Sequence, residues 1–193
     1  MILEVLVTTR DTAGQIHLAP MGITLNGVEQ LVISPFRPSQ TLDNLLATEH
    51  AVVNACDDVR LFAGCVTGRY NWTYCPVADG QGYYLADALS YSEVAVVAYE
   101  DDPVRPRVHC QILTTRSLKP FCGFNRAQFS VLEAAILVSR LDRLPWQKIV
   151  EEIRYLRIGF EKTAGPRERE AWAWLMAAIE HYRLQHGLEA LSE

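Results

Sequence analysis

Apolar and polar residues follow two rhythms along this chain, and the change from one to the other falls near residues 121–125. Before that point the pattern is strand-like. Residues 2–9 are apolar and β-branched, Asp11-Thr12-Ala13-Gly14 reads as a turn, and residues 15–25 resume an extended pattern. Asn26-Gly27 is a strong hairpin signal, because both residues tolerate positive φ. Residues 29–34 then return as a third strand, so an antiparallel meander is predicted. Residues 39–48 carry an apolar face at Leu42, Leu45 and Leu46 behind Ser39 as cap, which predicts a helix. Residues 51–55 predict a short buried strand, and residues 59–67 give no clear signal. Further strands are predicted over 83–88, 92–100 and 107–116. The unbroken apolar run at 94–98 reads as a strand buried on both faces. Short strands separated by turns predict a closed barrel, which also removes exposed sheet edges.

After residue 125 the spacing is helical. Phe129, Leu132, Ala135, Ile136 and Ser139 recur at one helical period. Pro145 suits the first turn of a second helix, running to about Arg157 with Ile149, Ile153 and Leu156 on one face. Gly165-Pro166 opens a third, carried by Trp172, Leu175, Met176 and Ile179 and stopped near Gly187. The expected organisation is α+β, with a barrel over 1–122 and a three-helix region over 123–193, packed on the barrel or on a partner.

Composition narrows the chemistry. The chain has 193 residues, 49% of them hydrophobic, with a net charge of −5. An acidic balance argues against nucleic acid and anionic membranes as partners. No apolar run is long enough to span a bilayer and the start lacks a signal-peptide layout, so a cytoplasmic location is expected. The five cysteines are odd in number and none is spaced as CxxC, which speaks for thiols packed as small hydrophobes over disulfides or a metal site. The five histidines form neither HxH nor HExxH. GxSxG, Walker A and GxGxxG are also missing, so no acid–base side chain is nominated and a cofactor carrying its own reactivity fits better.

Two segments carry the candidate chemistry. Residues 34–41, Ser-Pro-Phe-Arg-Pro-Ser-Gln-Thr, lie between a strand and a helix. A helix start has unpaired N–H groups and partial positive charge, and Arg37 adds a planar fork suited to phosphate. Arg37, Ser39 and Thr41 therefore read as an anion cradle, against the plainer view of a proline-stiffened connection with Ser39 as cap. The second is Thr8-Thr9-Arg10 beside Ala19-Pro20-Met21-Gly22, joined through the turn at 11–14. Small residues and a proline leave room for a flat ring held by backbone groups; the plainer view is a β-bulge around Pro20.

The order Val7-Thr8-Thr9-Arg10-Asp11, Ala19-Pro20-Met21-Gly22, Phe36-Arg37-Pro38-Ser39-Gln40-Thr41-Leu42-Asp43-Asn44-Leu45, then Val52-Val53-Asn54, resembles the FMN-binding split-barrel superfamily of flavin reductases and flavoredoxins. More closely, the chain resembles the DUF447 family. Asp57-Asp58-Val59 with Leu61-Phe62-Ala63 is similar to that family's middle. Phe124-Asn125-Arg126-Ala127, Glu133-Ala134-Ala135-Ile136 and Glu161-Lys162-Thr163 with Gly165-Pro166 and Glu168 are similar to its C-terminal region.

The resemblance implies a six-stranded antiparallel split barrel that dimerises, with FMN at the subunit interface. Arg37, Ser39, Gln40 and Thr41 would then hold the FMN phosphate. Thr8, Thr9, Ala19, Pro20, Met21 and Gly22 would line the isoalloxazine and ribityl chain. Pro38 stands where the family pattern is basic or small, which removes one backbone donor. Trp72, Asn125, Arg126 and Lys162 are the positions marked for a partner chain's contribution. The implied function is an FMN-dependent oxidoreductase using the flavin for electron or hydride transfer, with a nicotinamide or other redox donor. The alternatives are a non-catalytic flavin carrier or sensor, an accessory protein of tetrahydromethanopterin-linked one-carbon metabolism, and a helical adaptor with an empty barrel. On this reading Arg37→Ala weakens FMN binding by roughly ten- to a hundredfold while riboflavin, lacking phosphate, changes far less. Paired fluorescence titrations of the two flavins check this, and an equal loss for both would detach Arg37 from the phosphate.

Overall fold

The computed structural model describes residues 1–78 and 81–189; the last four residues of the expected helical region lie outside them. Contacts divide the chain into two compact units, each described by itself. The first comprises the described residues of Met1–Asp57 and Asn71–Phe121, the second Asp58–Tyr70 and the described residues from Cys122 onward.

The first unit is a closed antiparallel barrel. Its strands are β1 (Ile2–Arg10), β2 (Ile16–Asn26), β3 (Gln30–Ile33), β4 (His50–Ala55), β7 (Ser90–Glu100) and β8 (Arg107–Ser117), with α1 (Gln40–Thr48) between β3 and β4. Around the barrel the order is β1-β2-β3-β8-β7-β4. A separate two-stranded sheet is formed by β5 (Tyr74–Pro76) and β6 (Tyr83–Leu85). The barrel is thus six-stranded, of the split-barrel class.

Side chains alternate across a strand, so one residue in two faces the interior. Val5 and Val7, Leu31 and Ile33, Ala51 and Val53, and Val108 and Cys110 supply that interior. Leu42 and Leu45 of α1 join the same cluster, so the helix plugs the barrel. The outward face of β4 is also covered, because Val52 packs with Val77 and Tyr91, and Tyr84 lies stacked on Tyr91 at 4.4 Å. Asn54 sits beneath this cover, fully buried. Its Nδ2 donates to Thr8 Oγ1 (2.7 Å) and to the Leu6 carbonyl (3.1 Å). Its Oδ1 accepts from the Leu85 N–H (2.8 Å). One amide thus links β1, β4 and β6.

Three local expectations change. The Asn26-Gly27 hairpin forms, but Asn26 pairs with Gln30, so Gly27-Val28-Glu29 make the loop and only Gly27 (φ 74°) is left-handed. The predicted strand at 83–88 shrinks to β6, because residues after Leu85 turn back toward β7. The run at 94–98 is not buried on both faces: Val94 is fully buried, yet Val97 is 57% exposed. The cause is a bulge, since Val96 pairs with Cys110 and Ala98 with His109, leaving Val97 as the extra residue.

The second unit contains α2 (Arg60–Val66), α3 (Arg126–Val138), α4 (Trp146–Thr163) and α5 (Pro166–His186). The sequence pattern gave no signal for α2 because Leu61, Phe62, Ala63, Gly64 and Cys65 are all buried, and a helix apolar all round has no periodicity to read. Asp58 locks its start: Arg60 donates to both carboxylate oxygens and reaches Glu170 of α5 at 3.1 Å. Asn125 caps α3 and its Nδ2 donates to the Thr163 carbonyl. Phe160 stacks on Trp172 at 4.5 Å. Among the described residues, no helix is long and apolar enough to cross a membrane.

Replacing Asn54 by Leu keeps the branched shape but strands the Leu85 N–H and takes one of two hydrogen bonds from the Thr8 hydroxyl in a buried layer. The expected loss is about 2–4 kcal/mol of unfolding free energy, measured by urea titration; a change below about 0.5 kcal/mol would show that water replaces the amide.

Candidate functional site

The site is built from the start of α1 outward. Ser39 has extended dihedrals, and its Oγ accepts from the Leu42 N–H at 3.2 Å. This leaves the preceding N–H groups of the first turn without an intrahelical partner, as at any helix start. Gln40 Nε2 donates to Asn44 Oδ1 (2.8 Å), and Asn44 Nδ2 donates to Thr9 Oγ1 of β1 (2.9 Å). Asn44 and Thr9 are both buried, so α1 is pinned to the barrel through a polar chain. Thr41 is wholly buried, and its Oγ1 has no hydrogen-bond partner among the described residues. An orphan hydroxyl in the first turn, beside a serine cap, is a donor set suited to an anion.

Arg37 lies apart from this group. Its Nη2 donates to Asp101 Oδ1 (2.7 Å) and to the Tyr99 hydroxyl (2.6 Å), while Nε donates to the Asp102 carbonyl (3.2 Å). Its own N–H donates to the Val104 carbonyl (3.0 Å). Arg105 returns the link, donating from Nε to the Ser34 carbonyl (3.1 Å) and lying over the Phe36 ring at 4.8 Å. Two arginines therefore clasp the β3–α1 connection to the β7–β8 connection, which the sequence reading did not foresee. Hydrogen bonds from Tyr99 and then Arg37 hold the Asp101 carboxyl below the usual carboxylate range. Arg37 Nη1 carries no hydrogen bond among the described residues, and that edge remains for a ligand.

The threonines of β1 are braces. Thr8 Oγ1 donates to the Val52 carbonyl (3.3 Å) and accepts from Asn54, and Thr9 Oγ1 accepts from Asn44. Their hydroxyls are engaged, and both residues are 2% exposed. Ala19, Pro20, Met21 and Gly22 lie half-buried on β2, paired to Val7, Leu6, Val5 and Glu4. On its other edge β2 pairs with β3 only from Ile23 onward, so these four residues sit on an open edge. Proline is tolerated there because a free edge does not demand its missing N–H. At Gly22 a Cβ would stand 3.2 Å from Ile2 Cγ2 and 3.3 Å from Glu4 Oε1, so a larger residue requires Glu4 or Ile2 to give.

Two clefts flank these elements. One is narrow and runs between Thr8–Arg10 and Gln81–Tyr83. Arg10 donates to the Gln81 carbonyl across it and lies 5.7 Å from the centre of the Tyr83 ring. The other, about 380 Å³, is lined by Asp11, Gln15, Ile16, His17, Gln40 and Asn44. It joins the first turn of α1 to the open part of β2.

Trp72 falls in the first unit, with its Nε1 buried and partnerless among the described residues. Asn125, Arg126 and Lys162 fall in the second, and Asn125 is occupied as a helix cap. No disulfide forms among the cysteines. Burial pushes the Cys65 and Cys110 thiols up to about 12, so both stay protonated near neutrality. Sequence reasoning quoted Asn44 and Asn54 only as motif letters, gave His17 no role and passed over Arg105. Asn54 was findable as a polar residue in a strand predicted to be buried, whereas Asn44 lies opposite the apolar face read at Leu42, Leu45 and Leu46.

The first unit is thus an antiparallel split barrel with a capped helix plugging its interior, an open β2 edge and a polar cleft between the two. Residues 3–119 match the N-terminal domain model described as "Protein of unknown function (DUF447)", and residues 125–177 match the second model of that name. The chain belongs to the DUF447 family. Among solved structures it is similar to an FMN-bound DUF447 protein from Methanosarcina mazei, with TM-score 0.78 and 21% identity over 92% of this chain and 94% of that one. A flavoredoxin from Methanosarcina acetivorans matches with TM-score 0.55 and 14% identity, over 62% of this chain and 74% of that one. A 2-nitrobenzoate 2-nitroreductase from Pseudomonas fluorescens matches with TM-score 0.52 and 20% identity, over 60% and 64%.

The clasp has a titration signature. Asp101 gains its partners on folding, so its folded pKa lies below the unfolded one. The stabilisation is present above the unfolded value and fades as pH falls through the folded one. In Arg37→Ala, NMR should find the Asp101 carboxyl titrating at higher pH than in the parent; an unmoved titration would break the assigned pairing.

Proposed function

We propose that this chain is a flavoprotein that binds FMN, acts as a homodimer and uses the flavin for electron or hydride transfer. The observation that carries the reading is the cleft in which β2's open edge, through Ile16 and His17, meets Gln40 and Asn44 of the α1 first turn. A flat ring with a polar rim needs backbone groups and little side-chain bulk, which Ala19–Gly22 offer. A phosphate needs donors, which the α1 start offers through its first-turn N–H groups and the Thr41 hydroxyl, and Arg37 adds a free Nη1 edge that has to offset the Asp101 and Asp43 carboxylates. The family relative with bound FMN supports the choice of flavin.

Within this reading each residue has a defined task. Ser39 caps the helix and so fixes where its N–H groups point. Asn44 and Thr9 hold the helix against β1. Arg37 contributes charge from a loop whose position the Tyr99–Asp101 contact sets. FMN, when bound, supplies the redox chemistry, and the chain supplies orientation and exclusion of water. The exposed apolar residues Val97 and Tyr99 on β7 and Leu113 on β8 support a second copy as partner.

The test is direct. Purified protein titrated with FMN should bind one flavin per chain, and light scattering should report two chains per particle. Anaerobic NADH or NADPH should bleach the flavin band. Failure to bind FMN overturns the reading; FMN binding with no bleaching by either nucleotide leaves a flavin carrier in place of the nicotinamide-linked oxidoreductase.

A further inference from the structure

The 380 Å³ cleft has a chemistry of its own, unlike that of a phosphate cradle. Its floor is Asn44, 2% exposed, with Nδ2 given to Thr9 and Oδ1 taken by Gln40. Because Gln40 turns its amide nitrogen to Asn44, its carbonyl oxygen is the end left for a ligand. Asp11 Oδ1 accepts from the Ala13 and Gln15 N–H groups (2.9 and 2.8 Å), which leaves Oδ2 as a second acceptor. Burial lowers the His17 pKa, so the imidazole is neutral at pH 7 and brings one acceptor and one donor. Gln15 adds an exposed amide at the rim. Among the described residues, no cation lines the cleft.

A carboxylate without a cation repels a phosphate, and a surplus of acceptors favours a ligand that donates. We propose that this cleft is a subsite for vicinal hydroxyls, with Asp11 Oδ2 and Gln40 Oε1 accepting from neighbouring alcohols of a ribityl or ribose group. The inference rests on the flavin reading and revises one part of the sequence expectation. Gln40 moves from the phosphate to the sugar alcohol, and the phosphate falls to the helix N–H groups, Thr41 and Arg37. The hydroxyls have two possible sources, the flavin's own ribityl chain and the ribose of a nicotinamide nucleotide.

Two variants separate the outcomes. Asp11→Asn keeps an oxygen for the turn N–H groups but offers a donor where Oδ2 stood. Gln40→Met keeps the volume without polar atoms. Affinities for FMN, riboflavin and lumiflavin, which lacks the ribityl chain, are measured by fluorescence titration, and NADH affinity by equilibrium dialysis on the full chain. If the ribityl chain occupies the cleft, FMN and riboflavin bind about tenfold more weakly in both variants while lumiflavin is unchanged. If a nucleotide ribose occupies it, the flavins are unchanged and NADH weakens by about the same factor. Unchanged affinity for all four ligands, or a loss for lumiflavin in step with FMN, overturns the proposal. A parent protein that binds no flavin sinks the flavin reading instead, and the NADH arm still reads the cleft.

Discussion

The hydrogen bond from Asn44 to Thr9 is the contact on which the arrangement of the first unit rests. It joins a helix to a strand through two buried side chains. Leu42 and Leu45 drive α1 into the barrel mouth by burial alone, and burial is non-directional. A greasy plug can rotate and slide. The amide sets its rotation and depth, because a shift of an ångström would leave two buried polar groups unsatisfied at about 1–3 kcal/mol each. Fixing the helix also fixes the Ser39 cap, the direction of the first-turn N–H groups and the placement of Gln40 in its cleft.

A second asparagine does similar work one strand away. Asn54 ties β1 to β6, as Asn44 ties β1 to α1, and the two share adjacent threonines on β1. Thr8 and Thr9 point to opposite faces of their strand, as successive residues must. One thus braces the outer cover and the other the inner plug. Thr8 and Thr9 were expected to line a cofactor largely through backbone groups; in the structure their hydroxyls brace the neighbouring elements.

How much of this was legible beforehand follows from range in sequence. The β1–β2 turn, the Ser39 cap and the α5 stop at Gly187 are local events governed by φ, hydrogen-bond geometry and spacing, and each is visible in a few neighbouring letters. α2 was invisible because its helical period is erased by burial on all sides. The exposed half of β7 was misread because a bulge at Val97 leaves no trace in hydropathy. At the site, the capped helix start was legible. The Arg37 clasp was not, because its partners Tyr99, Asp101 and Asp102 lie far along the chain and carry no motif.

That clasp decides how an anion would have to approach. Asp101 is 74% exposed on its side chain, so its grip on Arg37 operates in high dielectric and is screened by salt. Tyr99 bridges both members, donating to Asp101 and accepting from Arg37, so the guanidinium is held by geometry as much as by charge. A dianion arriving at α1 need not break this pair. It can take the Nη1 edge while Nη2 stays with Asp101, the carboxylate then serving to aim the fork. An arginine left loose on the surface would have to be ordered by each ligand in turn, at the entropic cost of a long side chain of up to about 2 kcal/mol. Held as it is, with its loop stapled at Val104 and Ser34, it would meet an anion already positioned.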